Sequence, residues 1–321
     1  MNRVAIDTAG LHLEIDLDLG AGIADFSLRR ADGALAPLMR RAPERPRWFN
    51  DLACYTLVPW CNRIAGARFR FRGREHTIRP DWPDGTAIHG DAKHRPWRVL
   101  DRSPVAARFG IDSRDFADAN WPWPYAATVR YDLSDDALAI DLTVKNLGDS
   151  PMPAGMGLHP FWMRRPWTTD ADAVVRFNAA GRYPATEMIP TGPARDDDLS
   201  RRFARGTTLE GLELDDVFAC AAGNGAPALM VRPWGSIAWP KSGVRLEVAC
   251  LPAFGHAVVY SPSSPEGWFC CEPVSMVNDG FNLMERGQKG TGVVVLEPGQ
   301  AMAGRVEFRV AREQGGMGRL G

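Results

Sequence analysis

Two residues of this chain combine proton-transfer chemistry with an unusual setting. His159 lies in Gly155-Met156-Gly157-Leu158-His159-Pro160-Phe161-Trp162. An imidazole titrates near neutrality, so it can give and take protons. Pro160 fixes the chain directly after it, and Phe161 and Trp162 supply an aromatic wall. Glu272 lies in Phe269-Cys270-Cys271-Glu272-Pro273-Val274, after an apolar run. A carboxylate at the end of a buried strand is costly unless it is paired or functional. Burial would raise its pKa and make it a competent base near neutral pH. The bland alternative for His159 is a satisfied histidine at a sheet edge.

Three further segments offer groups that hold a ligand. Asn62 and Arg63 stand together just before a hairpin. The Arg63 fork suits donation to ligand oxygens, and suits a surface ion pair equally well. His89 precedes Gly90 and Asp91, with Lys93 and His94 close behind. It reads either as a ring held near backbone or as a loop cap. Asp215 and Asp216 adjoin an apolar run, where an acid can grip two hydroxyls or cap a turn. Metal ligation is not expected. His89 and His94 are five apart, and neither a His-x-His pair nor a CxxC pair occurs.

The elements that must position these groups alternate with period two. Leu11, Leu13, Ile15, Leu17 and Leu19 alternate with polar residues and predict a half-buried strand. Phe69 and Phe71 alternate with Arg68, Arg70 and Arg72, and Gly73 then predicts a hairpin turn into His76-Thr77-Ile78. Alternation recurs at Leu138–Val144, Val244–Val248 and Val306–Val310. The 32 glycines and 25 prolines limit helices to short pieces. Many short strands between turns predict an all-β sandwich. No composition shift divides residues 1–321, so a single domain is expected. The acidic run Arg195 to Asp198 reads as a solvated loop, and residues 313–321 as disordered.

The formal net charge is −1, which gives no electrostatic case for nucleic acid or an acidic membrane surface. Acids interrupt the first twenty residues, so they do not read as a signal peptide. No stretch reaches the roughly 18 apolar residues of a membrane span. A cytoplasmic location is expected, with the six cysteines as free and mostly buried thiols. Cys270 and Cys271 would face opposite sides of a strand.

Taken in order, these segments resemble the aldose 1-epimerase (galactose mutarotase) family. The resemblance rests on Asn62-Arg63-Ile64, Ile88-His89-Gly90, Leu158-His159-Pro160-Phe161, Asp215 to Phe218, and Cys271-Glu272-Pro273 followed by Asp279-Gly280-Phe281-Asn282. It covers roughly residues 10 to 310. It implies a large antiparallel β-supersandwich with a few short helices, and an isomerase that interconverts sugar anomers without metal or cofactor. It implies His159 as general acid and Glu272 as general base. Arg63, His89 and Asp215, with Asn62 beside them, would hold the sugar. One of Trp60, Trp97 or Trp162 would stack on the sugar's apolar face, with Trp162 the nearest to the acid. Asp91 stands where a second glycine is common, and Pro160 and Trp162 depart from the galactose enzymes' wording. These departures look closer to the family's uncharacterised epimerase-like branch. The expected partner is a small sugar, and a homodimer is compatible with the sequence. The sister possibilities are a hexose-6-phosphate 1-epimerase and a non-catalytic carbohydrate-binding or regulatory protein on the same fold.

Overall fold

Alternating apolar residues become the inner faces of two large antiparallel sheets. The computed structural model describes residues 2–167, 172–221, 230–262 and 267–312, so the expected disorder of 313–321 lies outside the described residues. Among the described residues one sheet has ten strands and the other nine. Along the first run Arg3–Asp7, Leu11–Asp16, Gly22–Arg29, Cys54–Leu57, Gly157–Met163, Trp268–Val274, His256–Ser261, Leu214–Cys220 and Ala179–Arg182. The long strands Tyr125–Leu133, Ala137–Asn146 and Ala301–Arg312 lie side by side in the second.

The sheets share one hydrophobic core. Trp162 of the first sheet meets Phe308 of the second edge-on at 5.0 Å, and Phe177 of the second meets Phe218 of the first at 5.4 Å. The all-β sandwich expectation therefore holds, and the alternating segments lie within strands. Two stretches differ from the reading. The strand from Leu11 stops at Asp16, short of Leu17 and Leu19, because the Asp16 carboxylate accepts the Asp18 N–H and turns the chain toward Gly20. The acidic run is not a plain loop. Asp197 caps a helix, Asp198–Arg205, by accepting the Ser200 N–H.

The hairpin is as expected. Arg68–Phe71 pairs with Arg74–Thr77, and Arg72 and Gly73 both take the left-handed conformation a two-residue turn requires. Its phenylalanines are buried and its arginines exposed. A second short helix, Gly280–Glu285, packs beside it.

Candidate active site

Strand register brings the two proton-transfer candidates together. In the first sheet, Gly157 is paired with Val274 and Phe161 with Cys270. The same register sets His159 opposite Glu272. On the other side His159 pairs with Tyr55. Both candidates are followed by proline, so this part of the ladder lacks two N–H donors. The Trp162 indole instead donates to the Cys271 carbonyl at 3.4 Å.

His159 Nε2 lies 3.3 Å from Glu272 Oε1. Tyr55 stacks on the His159 ring at 4.6 Å, and the His89 ring stands edge-on to it at 5.0 Å. Glu272 is only 1% exposed, and its Oε2 finds no partner among the described residues. Burial therefore holds the Glu272 carboxyl well above the usual carboxylate range, with Asp215 adding to the rise and Arg63 opposing it. Burial takes the His159 imidazole down to about 3, with Arg40 and Arg63 adding to the fall. Both effects favour the uncharged form of each partner. The shifts push the pair toward a carboxylic acid beside a neutral imidazole.

His89 reaches this pair from an unusual backbone. His89 and Gly90 have φ of 59° and 82°. A side chain at Gly90 would put its Cβ 2.1 Å from the Val58 carbonyl oxygen, so only glycine fits there. The Asn62 N–H donates to His89 Nδ1 at 3.2 Å. This assigns the ring proton to Nε2. Burial first, then the neighbouring His159, Lys93 and Arg63, push its pKa well below the ordinary histidine value. His89 is thus a neutral donor.

Arg63 pairs across a two-stranded ladder with Ile88. Its guanidinium donates to Asp84 at 2.6 Å and to Asp215 at 3.2 Å. It is not the surface ion pair the sequence allowed, because it is 8% exposed and held between two acids. Burial raises the Asp215 pKa, and Arg63 opposes the rise. Asn62 lines the same space, but its amide donates to the Met276 carbonyl at 2.6 Å. Its visible work is to brace the chain. Asn278 braces it too, accepting the Arg63 N–H and donating to the Met188 carbonyl.

These groups line one cavity of about 420 Å³. Arg63, His89, His159, Asp215, Glu272 and Asn62 all meet there. Trp162 does not, and the expectation for it is corrected. Alternation puts His159 and Phe161 on the cavity face and Trp162 on the opposite face, 1% exposed in the core between the sheets. Trp60 and Trp97 are likewise core residues. The indoles at the cavity are Trp82 and Trp268, which the sequence reading passed over. Tyr55, Asp84 and Met188 were also missed. Only Asp84 carried a local signal, the Asp84-Gly85 turn.

A cation, if one bound, would use His89, His159 and Glu272, whose ligand atoms lie within 4.8 Å of one another. His94, the other histidine weighed as a ligand, faces Asp81 at 3.1 Å instead.

The family model described as aldose 1-epimerase matches residues 3–309. The chain is 24% identical over 279 residues to the uncharacterised protein YphB of Escherichia coli, covering 81% of this chain and 84% of that one. It is 26% identical over 152 residues to the aldose 1-epimerase of Escherichia coli, covering 46% of this chain and 43% of the enzyme. Among solved structures, a galactose mutarotase-like protein from Clostridium acetobutylicum superposes with a TM-score of 0.82 at 16% identity, over 97% of this chain and 95% of that one. An aldose epimerase homologue from C. elegans gives 0.79 at 19%, over 97% and 99%.

Proposed function

Because the chain belongs to the aldose 1-epimerase family, we propose that it interconverts the α and β anomers of a free aldose at the His159–Glu272 pair. The observation that carries this is the 3.3 Å approach of an imidazole nitrogen and a carboxyl oxygen beside one polar cavity.

A cyclic hemiacetal opens when O1 loses a proton, the C1–ring-oxygen bond breaks and the ring oxygen gains a proton. Passing the shared proton from Glu272 to His159 creates the base and acid this requires. Glu272 then takes the O1 proton and His159 protonates the ring oxygen. The aldehyde turns about C1–C2. The ring hydroxyl attacks the other face of C1, its proton returns to His159, and Glu272 gives its proton back to O1. His89 Nε2–H and the Arg63 fork stabilise charge as it develops on oxygen. Asp215 and Asp84 orient Arg63 and accept from ring hydroxyls. Trp82 and Trp268 offer faces to the sugar's C–H groups.

The charge pattern favours an unphosphorylated sugar. Among the charged groups lining the cavity, Arg63 is already paired with two acids. Arg40 packs over Phe161 and Trp268 behind that lining, so a phosphate would add negative charge beside Asp84 and Asp215 with Arg63 already engaged.

Polarimetry of fresh α-glucose and α-galactose tests the reading. The protein is expected to speed mutarotation of a free aldose more than of its 6-phosphate. Glu272→Gln and His159→Asn should each lower kcat by at least about 10²-fold with the fold retained. Unchanged rates in both variants would refute the assignment, and sugar binding without acceleration would favour a binding protein.

A further inference from the structure

Lys93 is the most deeply buried charge near the site, 0% exposed. Its ammonium donates to three oxygens, each at 2.6 Å: Asp81 Oδ2, the Ile88 carbonyl and the Gly90 carbonyl. Three acceptors need three N–H donors, which only the charged ammonium supplies. The two carbonyls bracket His89. Asp81 closes the arrangement by accepting the Ile88 N–H at 2.9 Å. The bracketed turn is one that a non-glycine residue avoids, since His89 is left-handed. Something must hold it, and the ammonium holds both its ends.

We propose that Lys93 is a positioning residue, whose buried ammonium clamps the carbonyls on either side of His89 and so fixes that imidazole as an Nε2–H donor over the cavity. The role of His89 toward a sugar rests on the epimerase reading, while the clamp itself does not. The positive charge also helps keep His89 unprotonated, leaving Nδ1 able to accept from Asn62. Lysine suits the place because its flexible stem carries a compact three-donor head, whereas arginine's planar fork does not converge on three oxygens around one nitrogen.

A double-variant cycle with His89→Asn tests the proposal. Lys93→Met alone should lower kcat/KM by about 10²-fold, the cost of a catalytic group displaced by about 1 Å. In the His89→Asn background the same change should add little, because the group it positions is gone. Losses that multiply independently would overturn the proposal. Should Lys93→Met fail to fold, Asp81→Asn enters the same cycle. It removes the ammonium's counter-charge, with an expected loss of about tenfold. A second readout needs no turnover. Nitrogen NMR of the ring should show His89 as the Nε2–H tautomer, and in Lys93→Met, or in Asp81→Asn where that variant replaces it, as a mixture. An unchanged tautomer would overturn the clamp. A wild-type protein that accelerates no aldose would sink the epimerase reading and leave the tautomer arm to decide the clamp.

Discussion

At the scale of residues, burial removes charge from the proposed acid–base pair. Burial lowers His159 and raises Glu272, so the two titrations move apart and the uncharged pair is favoured between them. Below about 3 the imidazole gains a second proton and the pair has no base. Above the raised carboxyl pKa the pair loses its proton and has no acid. The profile of kcat/KM against pH is therefore expected to show no acid limb centred near 6.5, where a solvated histidine would titrate, and to fall as pH rises through the raised carboxyl pKa. An acid limb centred near 6.5 would show that His159 titrates as an exposed ring.

At the scale of elements, parity along one strand sorts the aromatics. Phe161 shares the cavity face with His159, while Trp162 turns into the core against Phe308. Trp82 is partly buried at the cavity, and its ring stacks on the exposed Trp48 at 5.8 Å. The two tryptophans should respond oppositely to truncation. Trp162→Leu should cost about 3 kcal/mol of stability, as for large core side chains, with KM for the sugar retained. Trp82→Ala should raise KM about tenfold with little change in Tm. Melting curves and initial rates on the same two variants check this, and a reversed pattern would restore Trp162 to the site.

At the scale of the whole molecule, the buried neutral histidines tie stability to pH. The folded pKa of His159 lies below its unfolded value of 6.5, so its contribution is complete above 6.5 and is lost as pH falls toward 3. His89 and His256 are shifted in the same direction, burial being the first cause in each. Glu272 runs the other way, contributing fully at low pH and less as pH rises through its raised folded value. Wild-type Tm is expected to drop between pH 6.5 and 4 by more than that of His159→Asn. Parallel curves for the two proteins would contradict a buried, neutral His159.

Much of the fold was legible because its cause is local. Period-two alternation at residues 138–144, 244–248 and 306–310 appears directly as strands, since one buried face is enough to produce it. His159 and Glu272 stood out because a titratable side chain in an apolar setting next to proline is unusual in any context. Their meeting was not legible, because it depends on antiparallel register between strands separated by over a hundred residues. The same holds for Tyr55 and Trp82, ordinary residues until the sheet and a turn bring them to the cavity, and for Trp162, whose side of the sheet outweighed its nearness to the acid. The order of residues determined which groups can move protons and which segments become strands, because both follow from side-chain chemistry and local period. Tertiary structure alone decided which groups share a cavity and which charges are buried, because pairing across strands and exclusion of water are properties of the packed chain.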